Sequence, residues 1–187
     1  MTTLTNGASS RNLSALITLF ESRNAPKGTR QPIDWNHWFS TLSKAPSVYE
    51  KKTDIPGWSA ATFVDDHRNN KNVETISALV LDVDDGGSIE DAHYAFREWP
   101  GFIHTSYSHG STEKEGKPCP PRRCFRIILP LARSVTSDEY QQLWLWAQHY
   151  AKQHHIELDS APKAPGQFWY LPALQPGYEH LYQVFQL

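Results

Sequence analysis

Residues 76–84 read ISALVLDVD, an apolar run that ends in carboxylates and is followed by Gly86-Gly87. Its length and its glycine boundary suit a buried strand better than a helix. The flanking residues supply elements to cover it. Ser88 opens a helix reaching to about Trp99, with Asp91 three residues on as its capping-box partner. Gly101–Ser108 reads as a second strand and Cys124–Leu131 as a third, with Pro130 near its end. Ser137 is expected to cap the clearest helix, with Asp138 and Glu139 in its first turn and Lys152 near its C-terminus, where each charge suits the dipole. Its apolar face is Tyr140, Leu143, Trp144, Ala147, Tyr150 and Ala151, at helical spacing. A fourth strand, Gln167–Pro172, follows a loop.

Upstream of the buried run the signals weaken. Residues 1–12 are polar and expected to fray. Residues 13–20 fit strand or helix. A short helix near 34–44 has Asp34 as cap and Trp35, Trp38, Phe39 and Leu42 on one face. Residues 45–72, with Pro46, Pro56 and Gly57, read as loop with a short extended piece. The order β-α-β-β-α-β predicts an α+β fold of split-βαβ, RRM-like form. A length of 187 residues suits a single domain. We expect an N-terminal αβ segment (1–72) packed on the core (73–175), with a tail at 176–187.

Composition narrows the function classes. Lys and Arg total 18 against 20 Asp and Glu, so no global basic field advertises nucleic acid, and any such binding must use a local patch. Two cysteines exclude a disulfide framework and suit a reducing compartment. No run approaches a membrane span, and the first residues lack a signal-peptide layout, so a cytoplasmic location without membrane association is expected. The 7 Trp, 8 Tyr and 8 Phe are read mainly as core.

In the expected topology one sheet edge gathers Asp82, Asp84, His109, Arg122, Arg123, Arg126 and the loop carrying Asp159. Asp82 and Asp84 lie two apart on a strand and so share a face. Such a pair chelates or bridges hard cations, with Asp159 as the third ligand. Asp85 is read as capping the glycine turn. Arg126, on a rigid strand, is a better phosphate fork than the loop 110–123, whose Lys114, Lys117, Arg122 and Arg123 would form either a solvated hairpin or a phosphate-gripping arm. His104, His109, Cys119 and Cys124 could be written as a zinc set, although no close CxxC pair supports it.

LVLDVDDG at 79–86, TSYSH at 105–109, PRRCFRIILPL at 121–131 and ELDSAPKAPGQFWYLP at 157–172 together resemble motifs of the archaeo-eukaryotic primase superfamily, within it the primase-polymerases of plasmids, phages and genomic islands. The resemblance covers about residues 60–175. It implies a template-dependent primase or polymerase core performing two-metal nucleotidyl transfer with Mg²⁺ or Mn²⁺. Asp82, Asp84 and Asp159 would hold the metals, and His109, Arg126, Ser108, Arg123 and Lys163 would bind the nucleotide. Its partners would be single-stranded or primer-template DNA and a dNTP or NTP, with a helical primase domain or a helicase supplied by a larger replication protein. Two positions depart from the pattern: Tyr107 replaces a small residue, and Gln167 stands where relatives often carry Arg.

Two other readings compete. LVLDVDDG also resembles the first motif of haloacid-dehalogenase-type phosphatases, but Gly86 stands where that family has Thr or Val, and the motif lies in mid-chain. A non-catalytic RRM-like module binding nucleotide or RNA would use Phe125 and Phe168 or Tyr170 as stacking rings.

Overall fold

The computed structural model describes residues 14–44 and 46–187, so the expectation for residues 1–12 lies outside the described residues. The chain folds as a mixed α+β structure with several sheets and, among the described residues, three α-helices. The strands are β1 (Ser14–Phe20), β2 (Thr29–Asp34), β3 (Ser47–Val48), β4 (Gly57–Ser59), β5 (Ala61–Phe63), β6 (Val73–Asp84) and β7 (Phe102–Thr105). They continue with β8 (Glu113–Lys114), β9 (Lys117–Pro118), β10 (Cys124–Val135), β11 (Trp169–Tyr170), β12 (Ala173–Leu174) and β13 (Val184–Gln186). The helices are α1 (Trp35–Leu42), α2 (Ile89–Phe96) and α3 (Ser137–Gln153).

A five-stranded sheet in the order β13-β7-β10-β6-β5 is antiparallel throughout. β10 lies between β6 and β7 and runs against both, and α3 packs on β6. The fourth strand expected in this sheet does not join it. Only Trp169–Tyr170 of the expected 167–172 is strand, and it pairs with β4 in a second antiparallel sheet of order β11-β4-β1-β2. Pro165 and Gly166 before it and Pro172 after it leave little room for a ladder. The place beside β6 belongs to β5, three fully buried residues from the stretch read as loop.

Smaller corrections follow local chemistry. The second strand stops at Thr105, because residues 106–109 close a turn in which the His109 amide donates to the Ser106 carbonyl at 2.9 Å. The third runs on to Val135, and Pro130, which lacks an N–H, marks the start of a register shift. α2 ends at Phe96 rather than Trp99. β1 resolves the ambiguity at 13–20 in favour of strand. β2, TRQPID, is an edge strand, where Pro32 costs no central ladder bond.

Asp34 caps α1 as expected, accepting from the His37 amide at 3.0 Å. α3 is capped by Thr136, one residue earlier than expected, in a reciprocal capping box with Glu139. Arg133 binds the Glu139 carboxylate at 2.6 Å, and that contact, with the Thr136 amide, holds the carboxyl down to about 2. Thr136→Ala is expected to cost about 1 kcal/mol, read as a lower denaturant midpoint at unchanged slope.

The aromatic residues do build the core. Trp35, Trp58, Phe63, Phe96, Phe102 and Phe125 are each under 2% exposed. Trp58 meets Trp35 edge-on at 6.1 Å, and Phe39 meets Phe102 at 4.4 Å, joining α1 to both sheets.

Candidate active-site cleft

In the β6–β10 register Asp82 faces Arg126. Arg126 Nε donates to Asp82 Oδ1 at 3.0 Å, and its Nη1 donates to the Tyr170 carbonyl at 2.8 Å. The guanidinium lies 5.2 Å from the Trp169 ring centroid and is buried. One side chain thus joins the central sheet to the second sheet. Burial pushes the Asp82 carboxyl above its usual value, Arg126 opposes this, and the Asp159 carboxylate adds to it.

Asp159 reaches this place through the backbone. Its amide donates to the Asp82 carbonyl at 2.8 Å, and the Glu157 amide donates to the Gly86 carbonyl at 2.7 Å. Gly86 makes the approach possible, since a Cβ there would collide with the Glu157 carbonyl. Gly86→Ala should therefore shift residues 157–159 away from β6 and cost about 1–3 kcal/mol, measured by denaturant unfolding.

Asp82, Asp159 and Arg126 line a cleft of about 220 Å³, together with Lys52, Arg23 and Arg68. Lys52 Nζ lies 3.4 Å from Ser108 Oγ and 5.5 Å from the Tyr170 ring centroid. Burial, reinforced by Arg126, pulls its ammonium below the usual value. Sequence reasoning missed Lys52, Arg23 and Arg68. All three sit in polar connections whose local pattern carries no functional signal.

Asp84 occupies a different setting on the same strand. Arg122 and the Cys124 thiol both contact its Oδ1, the thiol at 2.9 Å, and Lys114 Nζ stands 3.6 Å from Oδ2. Burial raises this carboxyl, but the thiol and the two cations outweigh it and hold it below its usual value. Burial and the Asp84 carboxylate in turn push the Cys124 thiol up, which keeps it a neutral donor. Asp85 accepts from Arg122 Nε at 3.1 Å and from the Arg123 amide at 2.8 Å, with its own backbone at a positive φ of 67°. Its side chain binds the segment before β10 rather than the glycine turn it was expected to cap, and it joins a cluster. Ligand atoms of Asp84, Asp85 and Cys124 lie within 4.8 Å of one another, a grouping compatible with a divalent metal. Among the described residues that grouping includes neither Asp82 nor Asp159, and the zinc set written from His104, His109, Cys119 and Cys124 is not assembled.

The remaining expected site residues are dispersed. His109 Nδ1 accepts the Cys124 amide at 3.2 Å, which places the ring proton on Nε2, and burial lowers its pKa. His104 is buried, held to the Thr105 carbonyl at 2.8 Å and pulled down to about 3, chiefly by burial. Arg123 is exposed. Lys163 lines a neighbouring pocket with Lys71 and Trp144. Phe125, Phe168 and Tyr170 are all at most 7% exposed, so none offers an open stacking face.

No family model matches this chain, and no curated protein matches it. The chain is similar to a solved structure, the polymerase domain from Mycobacterium tuberculosis Ligase D in complex with DNA, at 14% identity and a TM-score of 0.40. The alignment covers 92% of this chain and 61% of that one. At that identity it assigns no residue. Among the described residues no helix is long and apolar enough to cross a membrane.

Proposed function

We propose that this chain is the catalytic core of a template-dependent DNA primase or polymerase, transferring a nucleotide from a dNTP or NTP to a 3′-hydroxyl during replication of a plasmid, phage or other mobile element. The observation that carries this reading is the convergence of Asp82 and Asp159 in one cleft beside Arg126 and Lys52, on the motifs that resemble primase-polymerases. The donor chemistry fits a hard divalent cation such as Mg²⁺ or Mn²⁺. Arg126 binds one Asp82 oxygen and the Ala161 amide binds one Asp159 oxygen at 3.1 Å. The second oxygen of each has no partner among the described residues.

Asp82, Asp84 and Asp159 would hold the metals, which when bound supply charge neutralisation and lower the barrier to deprotonating the attacking hydroxyl. Lys52 and the free Nη2 of Arg126 would bind phosphoryl oxygens and stabilise charge developing on the leaving pyrophosphate. Ser108 would orient Lys52. The neutral His109 ring would offer Nε2–H as a further donor. The wider assembly, with a helical primase domain or a helicase, belongs to the same proposal.

The direct test is extension of a labelled primer-template by the full chain, with Mg²⁺ or Mn²⁺ and either dNTPs or NTPs, against a chelator control. Metal-dependent extension is expected. Its absence under all four conditions overturns the reading.

Asp84 has to exchange partners before it can take a metal, because Arg122 and Lys114 already neutralise it. Lys114→Ala removes one competitor from a half-exposed contact, worth about 0.2–1 kcal/mol. Mn²⁺ binding, followed by the loss of the free-ion paramagnetic signal, should tighten about two- to fivefold.

A further inference from the structure

The cleft carries more positive charge than its carboxylates use. Arg23, Lys52, Arg68 and Arg126 stand against Asp82 and Asp159, four cations to two anions. Arg126 is committed to Asp82, and Lys52 lies close to that pair. Arg23 and Arg68 are different. Among the described residues neither has a carboxylate within 4.0 Å. Asp66, two residues from Arg68, is already held by Arg30 at 2.7 Å, and Arg30 also takes Glu74 at 2.6 Å.

The segments that carry the two arginines are tied together by built structure. The connection after β1 and the turn after β5 are tied by the Arg68 amide on the Pro26 carbonyl at 2.9 Å and the Gly28 amide on the Asp66 carbonyl at 3.1 Å. Arg68 Nη2 then donates to the Arg23 carbonyl at 2.5 Å. Its planar group lies 5.5 Å from the Phe20 ring centroid and 5.3 Å from that of Phe168, which fixes the fork. Among the described residues Arg68 Nε is buried and has no acceptor. A buried charged donor without an acceptor is costly, and a bound anion is one of the arrangements that offsets that cost.

We propose that Arg23 and Arg68 form a phosphate clamp on the wall of the cleft, which binds a phosphate group of a nucleotide or of a nucleic acid strand. Guanidinium forks match phosphate oxygens two at a time, and paired guanidiniums tolerate one another once an anion lies between them. Burial and the neighbouring Arg23 charge both disfavour the Arg68 cation, and a phosphate anion would offset both. The proposal goes beyond nucleotidyl transfer, since a clamp of this kind serves any phosphate-bearing ligand. Its two sources, a polyphosphate chain and a sugar-phosphate backbone, share one chemistry.

The test is binding by the full chain in chelator, so that no divalent metal contributes. Three probes are used: tripolyphosphate, dATP and a fluorescein-labelled oligo-dT. Wild type is compared with Arg23→Gln, whose exposed side chain makes unfolding no concern, with Arg23→Gln/Arg68→Gln, and with Arg68→Lys, which keeps the charge but loses the fork. The double variant should lose about tenfold or more in affinity for at least one probe. Arg23→Gln and Arg68→Lys should each lose part of that. Loss confined to tripolyphosphate and dATP identifies a triphosphate site. Loss confined to the oligonucleotide, with a salt slope lower by about one per contact removed, identifies a backbone site. Wild-type affinity of Arg23→Gln for all three probes, or no binding of any probe by the wild type, overturns the clamp. Because metal is absent, failure of primer extension does not bear on this outcome.

Discussion

Asp82→Asn is expected to lose primer extension by about 10²–10³-fold or more while remaining folded. The two halves of that expectation have separate causes. Asparagine keeps an oxygen at the position where Arg126 Nε now donates at 3.0 Å, so the buried guanidinium retains its acceptor. It removes the charge on which the proposed metal binding depends. Asp82→Ala is a less clean experiment, because it strips the acceptor from a buried cation and should cost about 2–3 kcal/mol.

A pH series sharpens the comparison. Burial raises the Asp82 carboxyl in the folded chain above its unfolded value, so the folded state binds more protons between the two. The contribution of this group to stability therefore falls as pH rises through that window. Asp82→Asn has no such group, so its stability should gain on wild type across the same window, by denaturant unfolding. An Asp82→Asn protein that is folded and fully active would remove Asp82 from the chemistry and with it the proposed reaction.

The elements legible in the sequence are those whose signal is local. β6 is a continuous apolar run, α1 and α3 have capping residues and helical spacing, and β10 is bounded by Arg123 and shows its hydrophobic core positions plainly. The facing of Asp82 by Arg126 depends on antiparallel pairing of those two strands, and this much was within reach. What was not legible is pairing decided at a distance. β4, β5 and β11 have only two or three residues each, and nothing in GWS, ATF or WY says which strand they join. Residues 169–170 therefore pair with β4, in a different sheet from the one their sequence suggests. The same limit hid three of the four cations of the cleft. Lys52, Arg23 and Arg68 lie in connections whose composition reads as solvated surface, and only tertiary ties such as those at Pro26, Asp66 and Ser108 bring them to its wall. Lys163, by contrast, lay close in sequence to Asp159 but lines the pocket beyond.

Arg126→Met should be the most destabilising single change in the site, about 3–5 kcal/mol at neutral pH. Methionine keeps the arginine stem out to about the Nε position, so the loss is chiefly electrostatic and hydrogen-bonded, with the guanidinium's stacking on Trp169 lost as well. Asp82 is left three-quarters buried, at 24% side-chain exposure, with Asp159 nearby and its strongest cation gone. The Tyr170 carbonyl loses its donor as well, which weakens the link between β10 and β11. Without Arg126 the Asp82 carboxyl rises further, so the folded variant takes up a proton more readily than the unfolded chain. Its deficit against wild type should shrink as pH falls and the carboxyl becomes neutral. Asp82→Asn/Arg126→Met should recover most of the loss, because no unpaired charge remains, and the cycle should give a coupling of about 1–3 kcal/mol. If the single losses simply add, the pair is not coupled across β6 and β10. In that case the raised Asp82 carboxyl is set by burial and by Asp159, and Arg126 serves the second sheet rather than the carboxylate.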